Sequence, residues 1–308
     1  MAQPLPTDPE DVPAGPERRD RRADTDSADT SFLAEEISPW LSPAYGAANV
    51  VMQLANSGVA YGVMESKVDS GNLYKHPFKR ARTTFTYIAV AIAGNARDRR
   101  VYREAVNAAH AQVRSGPQSP VRYNAFDPQL QLWVASCMAA VFEDTRRLRG
   151  GRSRRDPDTI HRAASVFATT LQVPPEMWPA DREAADRYWQ EQLDRLDFDD
   201  RMRSYLIGIA RLDFLPAPVS ALFGGWNLFM TLGYLPPQLR EKLGFGWTAA
   251  QQTPVRPLAA PPGGPGPVHA AVLDAPRRAG GGVGHAFAAP DRGDRRVTAH
   301  RRAQGGTG

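Results

Sequence analysis

Through the middle of this chain apolar side chains recur at intervals of three and four residues, and strict alternation of apolar and polar positions is nearly absent. That period predicts helices rather than strands. Phe32, Leu33, Ile37 and Trp40 predict a first short helix, stopped by Pro39 and Pro43. A second is predicted over 49–56, ended by Ser57-Gly58. A third over 77–93 has proline at its first position and Gly94 just past its end, and a fourth covers 97–114. Asp127-Pro128 and Asp156-Pro157 each pair an N-cap residue with proline at the first helical position. Behind them run the stripes Leu130, Val134, Cys137, Val141 and Ile160, Ala164, Phe167, Leu171. Further helices are predicted over 181–196, 200–212, 219–232 and 237–243.

The two ends break this pattern. Residues 1–30 carry eight acids and four arginines, a net −4, and residues 250–308 carry eight arginines and three aspartates, a net +5, with Phe287 the one aromatic. Neither can bury enough apolar area to offset its ordering entropy. The sequence therefore predicts an all-α domain over 31–249, between a disordered segment 1–30 and a disordered Pro/Gly/Arg-rich tail 250–308. The formal net charge of +5 owes much to that tail. Without a clustered basic face it gives no sign of nucleic-acid binding. Cys137 is the sole cysteine, which excludes an intrachain disulfide and a CxxC zinc site. No apolar run follows Arg18, Arg19, Arg21 and Arg22, so no secretory signal is read there and the cytoplasm is the expected compartment.

Residues 218–236 hold no charge and are rich in Leu, Phe and Trp. Their length just suffices to span a bilayer. Gly224, Gly225, Asn227 and Gly233, with prolines at both ends, favour a buried core helix over a transmembrane segment. Contact with a membrane surface stays compatible with this reading.

The common enzyme signatures are missing: there is no GxxxxGK[ST], strand-borne GxGxxG, HExxH or GxSxG. Two helices instead carry polar residues on apolar faces. Tyr102, Val106, His110 and Val113 follow at helical spacing, as do Arg80, Thr84, Tyr87 and Ala91. A buried histidine needs a hydrogen-bond partner or a metal, and a buried arginine needs an anion. Left to pattern alone, His110 reads as a satisfied core histidine and Arg80 as paired with Glu65, Asp69 or Glu104. Haem would meet both needs, because its iron takes an imidazole nitrogen and its propionates accept a guanidinium.

A set of ordered segments adds a resemblance. Residues 77–87 (Pro-Phe-Lys-Arg-Ala-Arg-Thr-Thr-Phe-Thr-Tyr), Gly94, and 108–113 (Ala-Ala-His-Ala-Gln-Val) come first; 123–134 and 235–247 follow. Together, over roughly 49–247, they resemble the MpaB-type oxygenases, which include the latex-clearing rubber oxygenases. The resemblance implies a globin-like helical fold around a b-type haem. His110 would be the axial ligand of the iron, Arg80 and Thr84 would lie on the pocket helix, and Glu65 would be a catalytic base. The chain departs from the family pattern at Thr83, Ser66 and Ala135. The implied function is a haem-dependent oxygenase acting with O2 on an apolar, alkene or isoprenoid-like substrate. The competing reading is a helical protein that binds lipid or isoprenoid in the same cavity without haem and without catalysis.

Overall fold

A computed structural model of the chain describes residues 23–37, 43–66, 73–148, 151–252 and 255. The protein is all-α: among the described residues there is no β-strand, only an isolated bridge between Arg114 and Asn124. The helices are α1 (Leu33–Glu36), α2 (Pro43–Leu54), α3 (Ser57–Met64), α4 (Pro77–Ala93), α5 (Ala96–His110), α6 (Pro128–Leu148), α7 (Pro157–Ala164) and α8 (Val166–Thr169). A second run holds α9 (Arg182–Arg195), α10 (Asp200–Ala210), α11 (Ala217–Tyr234), α12 (Pro237–Lys242) and α13 (Ala249–Gln252).

Local chemistry explains most boundaries. Asn95 caps α5 in a reciprocal capping box with Asp98, and Asp156, Asp181 and Asp199 cap α7, α9 and α10 through their carboxylates. The Ser57-Gly58 pair, expected to end a helix, instead opens α3, because the Asn56 side chain accepts from the N–H groups of Gly58 and Val59. The fourth helix stops at His110 rather than 114. Residues beyond it form a hairpin closed by Ser115 N–H to Tyr123 O and Ala125 N–H to Val113 O, both 2.9 Å.

Two apolar clusters build the core, and α6 divides them. Leu132, Ala135, Met138 and Phe142 on one of its faces join α4, α5, α7 and α8. Trp133 and Cys137 on the other join α2, α3, α10 and α11. Trp133 is fully buried; its indole N–H donates to Met52 O and Gln53 O, and its ring stacks on Trp189 at 5.2 Å. Burial pushes the Cys137 thiol pKa far up.

The expectation of a boundary at residue 31 is corrected. Residues 23–30 are seated against α5 by polar contacts, the kind hydropathy does not register. The fully buried Arg99 donates to the carbonyls of Thr25, Asp26, Ala28 and Ala91 and to Thr30 Oγ1. Arg103 pairs with Asp26 at 2.7 Å. At the other end the helical structure continues past 249 through Gln252, and Val255 is buried against Met230 and Gly233. The disorder expected for 1–22, 253–254 and 256–308 concerns residues outside the described ones, as does the expected place of Trp40.

The expectation of a buried core helix over 218–236 holds for one face only. A Cβ at Gly224 would collide with Arg211 O, and Asn227 donates to Ala210 O at 2.9 Å, so this side of α11 lies tight on the end of α10. The opposite side is exposed: Leu222 by 72%, Trp226 by 62% and Phe223 by 52%. No helix among the described residues is long and apolar enough to cross a membrane.

Candidate functional site

The site lies where the two core clusters meet. A cavity of about 260 Å³ is walled by α3, α4, α5, the 111–127 hairpin and α6. Tyr87, Tyr102, Val106, Met138 and Leu171 come from the first cluster; Leu54, Tyr123, Leu130 and Val113 come from the second. The lining is mostly apolar, which makes its few polar groups conspicuous.

Arg80, Thr84 and His110 all line this cavity. They converge because α4 and α5 pack on one another and each turns one stripe toward the seam: Arg80, Thr84 and Tyr87 on α4, Tyr102, Val106 and His110 on α5. His110 Nδ1 is enclosed and has no hydrogen-bond partner. Burial, with the Arg80 charge as a second cause, pulls the imidazole pKa down from 6.5 to about 4, so the ring is neutral at pH 7. The Phe126 ring stands nearly perpendicular to it, at 6.4 Å between centroids.

Arg80 is equally unprovided for. Its side chain is half-buried and lines the cavity. Among the described residues no carboxylate pairs with it. Burial holds its pKa below the ordinary guanidinium value, and the titratable groups near it, the phenols of Tyr102 and Tyr205, are kept neutral by their own burial and so do not neutralise it. Of the acids the sequence offered, Glu104 is exposed, Glu65 is engaged elsewhere, and Asp69 lies outside the described residues. A buried cation without an anion costs several kcal/mol, of order 3 or more, unless something neutralises it.

The Thr84 hydroxyl donates to Arg80 O at 3.1 Å, and the Thr83 hydroxyl to Lys79 O at 2.9 Å. Both therefore present oxygen lone pairs, not protons, to the cavity they line. Tyr102 is fixed by donating to Thr83 O at 3.0 Å. Gln131 is fully engaged with Ala125 O and with Gln172, which makes it wall rather than ligand.

Glu65 is not among the lining residues. It closes the end of α3, and its Oε2 accepts from the Tyr123 hydroxyl at 3.0 Å; Arg201 stands 3.9 Å from its other oxygen. Tyr123 does line the cavity, so the link between Glu65 and the cavity is a phenol. Burial, then the Glu65 hydrogen bond, raises the Tyr123 pKa to about 12. The sequence contains no sign of this pairing across 58 positions. Of the three departures, Thr83 and Ser66 line the cavity, while Ala135 is fully buried in the first cluster.

No group of three or more His, Cys, Asp or Glu able to hold a bare metal ion exists among the described residues. The cavity offers one imidazole, one guanidinium and apolar walls. Its chemistry makes a pH prediction. A folded-state pKa of about 4 against 6.5 in the unfolded chain means the unfolded state binds more protons across that window. Cofactor-free protein is expected to be at full strength, as far as His110 is concerned, above pH 6.5. It should lose up to on the order of 3 kcal/mol as pH falls to about 4. Urea titrations of wild type and His110→Phe across this range check it, and parallel curves for the two would refute it.

Comparison with known proteins adds the following. Residues 38–261 match the family model described as "ER-bound oxygenase mpaB/B'/Rubber oxygenase, catalytic domain". An uncharacterized protein of Mycobacterium tuberculosis and one of Mycobacterium bovis are each 54% identical over 207 residues, covering 67% of this chain and 81% of theirs. No solved structure matches.

Proposed function

Since this chain belongs to the mpaB/rubber oxygenase catalytic-domain family, we propose that it is a haem b-dependent oxygenase acting with O2 on an apolar, alkene or isoprenoid-like small molecule. One observation carries the cofactor half of the reading. An unpartnered neutral imidazole and an unpaired guanidinium face one apolar cavity. A porphyrin fits both, since it brings four metal ligands of its own and two carboxylates, and so needs one nitrogen and one cation from the protein. The globin-like arrangement of helices belongs to the same proposal.

In this reading His110 would hold the iron through a ring nitrogen, since burial keeps the imidazole neutral and therefore free to coordinate at pH 7. Arg80 anchors a propionate, and Thr84 offers an oxygen acceptor on the same helix face. When bound, the haem supplies the iron at which O2 is activated. The chain's own work is exclusion of water and handling of protons. Val59, Val63, Val106, Val134 and Leu171 keep the cavity dry. A proton leaving substrate at the Tyr123 edge would pass to the phenol oxygen as the phenol's own proton moves to Glu65 Oε2. Glu65 thus serves as base through Tyr123.

The full chain, produced with a haem supply, is expected to show a Soret band and a b-type pyridine haemochrome. A colourless protein would replace this reading with the lipid-binding one.

Arg80→Ala gives a sharper test because two effects of opposite sign follow from one unpaired charge. Haem affinity should fall about ten- to hundredfold, the value of a charge-assisted hydrogen bond. The cofactor-free protein should become more stable, by about 1 kcal/mol, because an uncompensated buried cation is gone. Arg82→Ala, on the exposed side of α4, should change neither. Haem titration and melting of the cofactor-free forms measure both arms.

A further inference from the structure

We propose that α4 and α11 together form a docking surface for an anionic lipid bilayer. On α11, Val219, Leu222, Phe223 and Trp226 follow at i, i+3, i+4 and i+7, and all are exposed. The stripe is not an accident of loose packing. Gly224 and Asn227 seat the helix against α10, and these four side chains are left on the outside of that contact. On α4, Phe78, Arg82 and Phe85 form the stripe opposite Arg80, Thr84 and Tyr87; Phe78 is 83% exposed and Phe85 54%.

The start of α4 is packed beside the approach to α11. The Tyr74 ring, just before α4, lies 6.2 Å from Phe214, between α10 and α11, and 5.4 Å from Tyr205 within α10. An apolar surface of this composition on a folded protein marks an interaction site rather than ordinary exposure.

Charge selects the partner. No Asp, Glu, Lys, Arg or His occurs from 214 through 239, and the exposed charges near the surface include Arg82 on α4 and Arg211 at the end of α10, with Lys79 half-exposed on α4. Asp213 is the acid at that junction, held by the Ser220 hydroxyl at 3.1 Å. Phenylalanine, leucine and tryptophan ringed by arginine and lysine match a bilayer interface carrying anionic headgroups. The placement also suits an apolar ligand. Helix α4 turns Phe78 and Phe85 outward and Arg80 and Thr84 into the cavity, so a molecule dissolved in the bilayer would lie about one helix diameter, roughly 10 Å, from the site.

The proposal is independent of the oxygenase reading, since vesicle binding requires no cofactor and either can fail alone. The full chain is mixed with vesicles of phosphatidylcholine, with and without phosphatidylglycerol, and bound protein is separated by flotation. Binding to the anionic vesicles is expected, weakened by salt, and reduced about tenfold or more in Leu222→Ser/Phe223→Ser and in Arg82→Glu/Arg211→Glu. Brominated lipid should quench tryptophan emission in wild type and much less in Trp226→Phe. All these side chains are exposed, so unchanged melting confirms that each variant folds. Absence of vesicle binding, or binding that neither double variant weakens, overturns the proposal. So does a concentration-dependent dimer that Leu222→Ser/Phe223→Ser dissociates while vesicles bind nothing, because a second copy would then be what covers this face.

Discussion

Replacing His110 by alanine is expected to abolish the Soret band of the full chain outright, while His76→Ala and His161→Ala leave it in place. The asymmetry follows from where the three rings sit. His110 lines the cavity with an enclosed, unpartnered nitrogen. His161 has its Nε2 at 2.8 Å from Pro179 O and its ring stacked on Trp178 at 5.5 Å, away from the seam. His76 is exposed at the start of α4. An iron that keeps only its porphyrin nitrogens loses the one bond the protein contributes to it, so retention should drop far more than for Arg80→Ala. Added imidazole should restore part of the band in His110→Ala by entering the vacated space. A Soret band unchanged in His110→Ala, or lost in His161→Ala, would mean that the ligand is elsewhere.

The largest expected loss of stability lies far from that site, at Arg99. Its guanidinium makes five hydrogen bonds, and Arg99→Ala would leave four carbonyls and the Thr30 hydroxyl short of a donor inside a closed pocket. Breaking a buried charged network of this kind costs about 3–5 kcal/mol, or on the order of 10 °C in melting temperature for a domain of this size. Arg99→Lys should recover little, since one ammonium cannot reach five acceptors in a fork. A chain that starts at residue 23 retains every one of these bonds and should melt like the whole protein. A chain that starts at residue 31 should melt as poorly as Arg99→Ala. Equal melting of the two truncated chains would show that the network contributes nothing.

What could be read from the residues alone was whatever repeats at helical period. Helix α4 was bounded correctly because Pro77 and Gly94 mark its ends, and the convergence of Arg80, Thr84 and His110 on one cavity follows from two stripes on neighbouring helices. Period misled at the end of α5. Val113 continues the stripe of His110, yet it belongs to a hairpin whose hydrogen bonds run to residues 123 and 125. Ser57-Gly58 looked like a stop because serine and glycine break helices on average. Here Asn56 caps the next helix, and a Cβ at Gly58 would press to 3.0 Å on Leu130. Residues 23–30 were misread because a guanidinium holds them, not an apolar face. The Tyr123–Glu65 pair was hidden because a hairpin, which has no period, delivers the tyrosine.

The seam position of the cavity has a thermodynamic consequence. Helix α6 holds the two clusters together, and beside it the contact between them is interrupted by empty space rimmed with an unpaired charge. Any ligand that fills this space touches both halves at once and binds only the assembled state. It therefore raises the unfolding free energy by RT ln(1 + [L]/Kd) and makes the halves unfold as one unit. Cys137, the chain's sole thiol, reports on this from the α6 face turned to the second cluster. A thiol reagent can reach it only when that packing opens, so its modification rate measures the opening equilibrium directly. Ligand in the cavity should slow that rate in proportion to occupancy, which turns one buried sulfur into a binding assay for whatever the seam is built to hold.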